Sequence, residues 1–280
     1  MGPEPGYPTH EHIAGHEGIG HVVQSYNPSL LGQPVAARYL GANCASCHNC
    51  LRGIPESCKD QKNFPKHHSG TFQQYMTVPW TSLMPLPPWV FESRTALNQA
   101  SFTAALCSGS TALKALRAAN VQTNDVLVIT GICGGIGHLA GMMAKSVFGA
   151  RVIGVDWAGK EKLFSSEACR IYDKFVPVVK GSIEENNLGG VSQAELLSAC
   201  AELRGSSVIE SYLSDAVIVT ASSSIGLGGF PDYVRDGGSI VFVGYVIFRY
   251  NILKTKSPYA HKSMLGFQEE SVLLTYRWQF

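Results

Sequence analysis

The sequence predicts an α/β protein in two parts, an irregular β domain over residues 1–106 and a domain built on a parallel sheet over residues 107–244, with a tail at 245–280. Three observations carry this. The first part is rich in Gly, Pro, Cys and His, with only short β-like runs. From Asp125 onward, apolar β-branched runs alternate with segments of helical periodicity, which is how buried parallel strands and their crossover helices read. A glycine-rich turn sits between the first two of those runs, where strand gives way to helix.

In chain order, Gly20–Gln24 and Phe72–Val78 read as short strands of the first part. Val126–Thr130 reads as a buried strand, and Ile136, Leu139, Ala140, Met143, Ala144 and Val147 then recur at helical spacing. Arg151–Asp156 is the second strand. Phe175–Val179, Ala216–Thr220 and Ser239–Val243 are further strands, with a helix from about Gln193 to Leu203. A helix before the last strand is weakened over Ser224–Asp232 by Gly226, Gly228, Gly229 and Pro231, each glycine costing ~1 kcal/mol inside a helix.

At 280 residues with a formal net charge of +1 and scattered Lys and Arg, nothing draws the chain to nucleic acid or an acidic membrane. No apolar run approaches the ~20 residues that span a bilayer, and the N-terminus has no signal-peptide core. A cytoplasmic protein acting on small molecules is expected. In a reducing compartment eight cysteines argue for metal ligands over disulfides.

Cys44, Cys47, Cys50 and Cys58, spaced C-x2-C-x2-C-x7-C, suit a closed tetrahedral zinc site, because soft thiolates prefer Zn²⁺ and short loops bring all four sulfurs to one ion. Such a site orders a loop and leaves no position for substrate. Gly131, Gly134, Gly135 and Gly137, with Ile136 and His138, form the glycine-rich turn. Glycines there let the backbone approach a pyrophosphate, and the free N–H groups of the helix start bind its charge. Asp156, about 20 residues on at the end of the second strand, is placed to bond ribose hydroxyls and repel a 2′-phosphate, favouring NAD over NADP. By spacing alone His16, in Gly15-His16-Glu17-Gly18, and the distant Cys107 read as a loop histidine and a small core residue.

Together, Gly15-His16-Glu17-Gly18-Ile19-Gly20, the four-cysteine loop, Gly70-Thr71-Phe72-Gln73-Gln74-Tyr75, Leu106-Cys107-Ser108-Gly109-Ser110-Thr111 and the glycine turn resemble, in order, the zinc-dependent alcohol dehydrogenases of the medium-chain family, those of yeasts and fungi most of all. The likeness covers residues 10 to 244. It implies a partial GroES-like β catalytic domain and a Rossmann-type NAD-binding domain. By the same resemblance His16 and Cys107 are ligands of a catalytic zinc and Glu17 the neighbouring carboxylate that approaches it. Cys44, Cys47, Cys50 and Cys58 become the structural zinc ligands, Gly131 to His138 the pyrophosphate turn, Asp156 and Lys160 the ribose contacts, and Val243 and Gly244 the strand end on the nicotinamide side. The implied reaction is hydride transfer between a primary or secondary alcohol and NAD, zinc polarising the oxygen.

Two departures from that family are expected to matter. Its first catalytic cysteine and proton relay lie in a segment ahead of Met1; His10 and His12 lie close enough in sequence to be conceivable substitute ligands, but terminal histidines more often stay solvated. Beyond Gly244, residues 245–280 match nothing in the family, including the strand through which its homo-oligomers form. The readings left open are a zinc- and NAD-binding remnant without turnover, a zinc-stabilised protein that docks its apolar Tyr245–Leu253 on a partner, and a dehydrogenase of secondary metabolism.

Overall fold

A computed structural model describes residues 13–92, 98–164, 171–179, 191–205, 213–221, 233–243, 260–265 and 273–278, the last two as backbone. The chain divides into two compact units, Met1–Ser110 and Thr111–Phe280.

In the first unit β1 (Gly18–His21), β2 (Pro34–Ala37) and β5 (Met84–Pro85) form an antiparallel sheet in the order β1-β2-β5, with Gly18 opposite Ala37 and Val35 opposite Pro85. A second ladder pairs β3 (Leu40–Ala42) with β4 (Lys62–Asn63), Leu40 opposite Asn63, and so closes the base of the cysteine loop. The short helix α1 (His48–Leu51) lies within that loop. Phe72–Val78, predicted as a strand, is not one. The N–H groups of Gly70, Thr71 and Phe72 donate to the carbonyls of Ile13, Gly15 and Ala14 at 2.9–3.0 Å, and Gln73 turns back on Thr71. These bonds and the turn at Gln73 divert the start of the run, and no described strand pairs with the rest of it.

Helix α2 (Ser108–Ala118) begins in the first unit and ends in the second. The second unit is built on a sheet of β6 (Val126–Thr130), β7 (Arg151–Trp157), β8 (Lys174–Val178), β9 (Ser214–Val219), β10 (Val234–Phe242), β11 (Ala260–Leu265) and β12 (Leu273–Trp278). Its order is β11-β12-β10-β9-β6-β7-β8. The five strands from β10 to β8 are parallel, and β12 and β11 continue the sheet as an antiparallel pair inside the tail for which the sequence predicted no element. The parallel part has the mononucleotide-binding order of a Rossmann fold, with its switch point between β6 and β9.

Alternation along the central strands explains why the apolar runs are continuous. Leu127 and Ile129 pack on one side with Ala112, Leu116, Ala140 and Ala144, while Val126 and Val128 pack on the other with Leu196, Ala199 and Cys200. Helix α3 (Gly135–Ser146) covers the first side and α4 (Gln193–Arg204) the second. The Ser192 hydroxyl caps α4 by accepting the Glu195 N–H (3.3 Å), and Gly205 closes it in the left-handed conformation. The predicted strand and helix positions of this unit hold to within a few residues, except that Val147 is the solvent-facing cap of α3. The predicted helix at 224–232, Gly244, Tyr245–Leu253, His10 and His12 lie outside the described residues. Among the described residues no helix is long and apolar enough to cross a membrane, and the cysteines are free thiols.

Candidate functional site

Two candidate sites form in the first unit and one in the second. In the cysteine loop β3 ends two residues before Cys44 and β4 begins four after Cys58, so the ladder delivers both ends of the loop to one place. Cys47 opens α1, which carries Cys50, and the single turn Pro55–Ser57 presents Cys58. The Asn49 side chain donates to Ser57 O (2.7 Å) across the loop. Cys44 Sγ lies 4.0 Å from Cys50 Sγ and 3.5 Å from Cys58 Sγ, and all four sulfurs lie within 4.8 Å of one another. A tetrahedron with Zn–S of ~2.3 Å has edges of ~3.8 Å, so the donor set fits zinc. The N–H groups of Ser46 and Cys47 hold the Cys44 thiol down at about 6, whereas desolvation and then the adjoining Cys47 and Cys58 sulfurs push Cys50 up to about 12. One thiolate is favoured and a second is opposed, the electrostatic condition that a bound cation relieves.

The second site joins residues far apart in sequence. Gly15 has φ +96°, and a β-carbon there would lie 2.5 Å from Thr71 Oγ1 and 2.7 Å from the Phe72 ring, so glycine alone lets residues 13–15 lie against 70–72. The Thr71 hydroxyl donates to Glu17 O (3.1 Å), which fixes the backbone after His16. The Cys107 N–H donates to Glu17 Oε1 (3.2 Å). The ligand atoms of His16, Glu17 and Cys107 thereby lie within 4.8 Å of one another, all three side chains partly buried. Burial, then the Glu17 carboxylate, raises the Cys107 thiol above its ordinary range. An imidazole, a carboxylate and a thiol are three donors suited to a first-row divalent ion, and among the described residues no further ligand joins them. Tyr39, which the sequence reading passed over, sets its ring edge-on to the His16 imidazole, with centroids 5.6 Å apart and planes at 84°.

The third site is the glycine turn at the switch point. Gly131 follows β6 with φ +74° and its N–H donates to Val155 O (2.8 Å). A β-carbon on Gly137 would sit 2.1 Å from Gly131 O, so α3 starts hard against the turn only because that residue is glycine. Gly134 caps α3 without a side-chain acceptor, leaving the first N–H groups of Gly135, Ile136 and Gly137 for an anion. The His138 ring lies 2.9 Å from Gly134 O through Nδ1 and stacks on Phe164.

Asp156 is 6 % exposed and fully engaged. Its Oδ2 accepts the Cys133 N–H (2.9 Å), and its Oδ1 accepts the Trp157 N–H (2.8 Å) and pairs with Lys160 Nζ (2.9 Å). The predicted ribose acid is therefore also the tie that shapes the turn. Burial, then Asp156, pushes the Cys133 thiol up to about 11. Thr220 was missed by sequence: its hydroxyl donates to Thr130 O (2.7 Å) and approaches Gly131 O at 3.2 Å, joining β9 to the turn. The signal available was a polar residue closing an apolar run. Trp157, Ala158, Lys160, Val178 and Val179 line a cavity of about 450 Å³ beside Asp156. Val243 is buried at the end of β10, its N–H donating to Val219 O (2.8 Å).

The alcohol dehydrogenase GroES-like domain model matches residues 2–88. Alcohol dehydrogenase 2 of Emericella nidulans is 29% identical over 237 residues, 83% of this chain and 59% of the relative. Alcohol dehydrogenase 1 of Caenorhabditis elegans is 33% identical over 152 residues, 53% of this chain and 41% of the relative. Over most of its length the chain is similar to alcohol dehydrogenases, and its first part matches their GroES-like domain. It spans 59% and 41% of the length of these two alcohol dehydrogenases. The fold is shared with a cobalt- and zinc-bound thermostable alcohol dehydrogenase from Pyrobaculum aerophilum, which superposes with a TM-score of 0.61 at 19% identity, covering 89% of this chain and 63% of that one.

Proposed function

We propose that this chain is a zinc- and NAD-dependent oxidoreductase that moves a hydride between a primary or secondary alcohol and NAD, with an aldehyde or ketone as the other partner. The observation that carries it is the convergence of His16, Glu17 and Cys107 on one point, in a chain that also carries a glycine turn opening a helix at a switch point. In this reading residues 1–106 serve as the zinc-binding catalytic part and 107–244 as the cofactor part.

When bound, zinc supplies Lewis acidity to an alcohol or carbonyl oxygen, and NAD supplies the hydride acceptor. The rest falls to the chain's own residues. His16, Glu17 and Cys107 would hold the reactive metal, leaving a fourth position to substrate. Cys44, Cys47, Cys50 and Cys58 would hold the structural one. The N–H groups at Gly135 to Gly137 would bind the pyrophosphate, and Asp156 with Lys160 would meet the ribose. The cavity beside Trp157 suits the adenine ring, and Val243 with Gly244 would border the nicotinamide side. The acid at 156 favours NAD over NADP. The cobalt and zinc of the Pyrobaculum structure support the metal assignment, and cysteines grouped as metal ligands suit a reducing, cytoplasmic setting.

The test is zinc content and NAD-dependent ethanol oxidation measured on one sample of the 280-residue chain. Two zinc ions per chain with turnover support the reading. One zinc without turnover refutes it in favour of a remnant that binds zinc and cofactor but performs no chemistry.

A further inference from the structure

We infer that Tyr39 and Asn63 are positioning residues that couple the cysteine loop to the His16 imidazole. The inference rests on the metal reading of His16, Glu17 and Cys107 above. Asn63 is the last residue of β4, at the base of the cysteine loop, paired with Leu40 and 2 % exposed. Its backbone is clamped from both sides: its N–H donates to His67 Nδ1 (3.0 Å), and its carbonyl accepts the His67 N–H (2.7 Å). From that fixed point the side-chain amide donates to Tyr39 Oη (3.0 Å), while the next residue's N–H, at Phe64, donates to Tyr39 O (3.0 Å). Tyr39 is thus held at both its backbone and its hydroxyl, and its ring meets His16 edge-on.

On stability grounds the amide is a costly core residue. Its Oδ1 is buried with no hydrogen-bond partner among the described residues, a cost that an apolar side chain would not carry. What the amide contributes is the fixed tyrosine hydroxyl, and through it the orientation of a ring against a metal-ligating imidazole. A cysteine loop drawn tight by its ion fixes β3 and β4, these fix Asn63 and Tyr39, and Tyr39 fixes His16. The loop with no open position then tunes the site that has one.

The test uses cobalt(II) as the probe ion, because its absorption separates a four-thiolate site from a mixed His, Glu and Cys site. The wild-type chain is expected to bind two ions with distinct spectra. Tyr39→Phe removes the hydroxyl and keeps the ring; Asn63→Leu removes the amide donor and the unpartnered oxygen. Each should weaken cobalt at the mixed site by about tenfold or more, the size of effect seen when partners of metal ligands are removed, and shift its ligand-field bands. The four-thiolate spectrum and affinity should stay as they are. The double variant should be no weaker than either single one, since both break one link. Two ions in the wild type with unchanged mixed-site affinity and bands in both variants overturn the coupling alone. A single, four-thiolate ion in the wild type overturns the metal reading and the coupling with it.

Discussion

Replacing Asp156 with asparagine should damage the fold and the cofactor site together, by an amount the contacts allow to be worked out. The carboxylate receives the Cys133 N–H at 2.9 Å, the Trp157 N–H at 2.8 Å and the Lys160 ammonium at 2.9 Å, at 6 % exposure. An amide of the same shape has one acceptor oxygen in place of two. If it faces Cys133, its NH2 opposes the Trp157 N–H and Lys160; if it turns round, the Cys133 N–H loses its acceptor. A hydrogen bond to a charged group contributes about 1.5–3 kcal/mol. The Lys160 pair, whose lysine side chain is 45% exposed, adds about 1 kcal/mol at most. The expected loss is about 2–4 kcal/mol, or roughly 5–12 °C in Tm for a unit of this size. Because the lost acceptor shapes the glycine turn, NADH affinity should fall about tenfold or more, and selection against NADP should relax. Calorimetry and NADH and NADPH fluorescence titrations read these separately. A Tm within about 2 °C of wild type with unchanged NADH binding would refute the argument that Asp156 shapes the turn, and an unchanged NAD to NADP preference would refute its reading of the ribose.

Two further outcomes are expected. Cys47→Ser should empty the cysteine loop of zinc and lower Tm, since Cys44, Cys50 and Cys58 then surround the ion incompletely; unchanged zinc content and Tm would reject a structural metal there. Asp215→Asn should destabilise by about 3–5 kcal/mol, because Arg204 and Arg235 lose a buried partner. Burial works to raise Asp215, but the Val126 N–H and the two guanidiniums hold it below the usual carboxylate range. A lowered folded pKa means this stability is complete above about pH 4 and is lost as pH falls through the folded value, so the variant should show a flatter acid limb in urea titrations at pH 2–5 than the wild type.

Much of this was legible in the sequence where the determining contacts are local. β6, β7 and β9 are apolar on both faces, and a continuous β-branched run between turn residues has few other ways to be buried. The cysteine loop is read from spacing because its four sulfurs are brought together by 15 residues of chain. His16 and Cys107 are 91 positions apart, and nothing in either neighbourhood says that Gly15, Thr71 and Glu17 will bring them together; resemblance supplied that pair and the fold accounts for it. Phe72–Val78 alternates as a strand would, but its neighbouring N–H groups are spent on residues 13–15. Thr220, Tyr39 and Asn63 each look like ordinary polar residues, because their roles lie in contacts to residues far away in sequence.

The two buried acids of the sheet show why residue type alone could not separate function from stability. Asp215 lies at the amino end of β9, accepts the Val126 N–H (2.7 Å), and is enclosed by Arg204 Nη2 (2.6 Å) and Arg235 Nε (2.5 Å), which tie α4, β6, β9 and β10 together. Asp156 lies near the carboxyl end of β7, beside the glycine turn and a cavity, with a half-exposed lysine as its ionic partner. In an open parallel sheet ligands bind outside the carboxyl ends of the strands, so in the proposed reading the same carboxylate is a structural tie at one end and a binding group at the other. The consequence is a contrast between variants. Asp215→Asn should lower stability while the NADH affinity of the folded fraction stays at the wild-type value, whereas Asp156→Asn should lower both. Equal loss of NADH affinity in the two would mean that the ends of the sheet are not separated in this way, and that the turn is held by the stability of the whole unit rather than by Asp156.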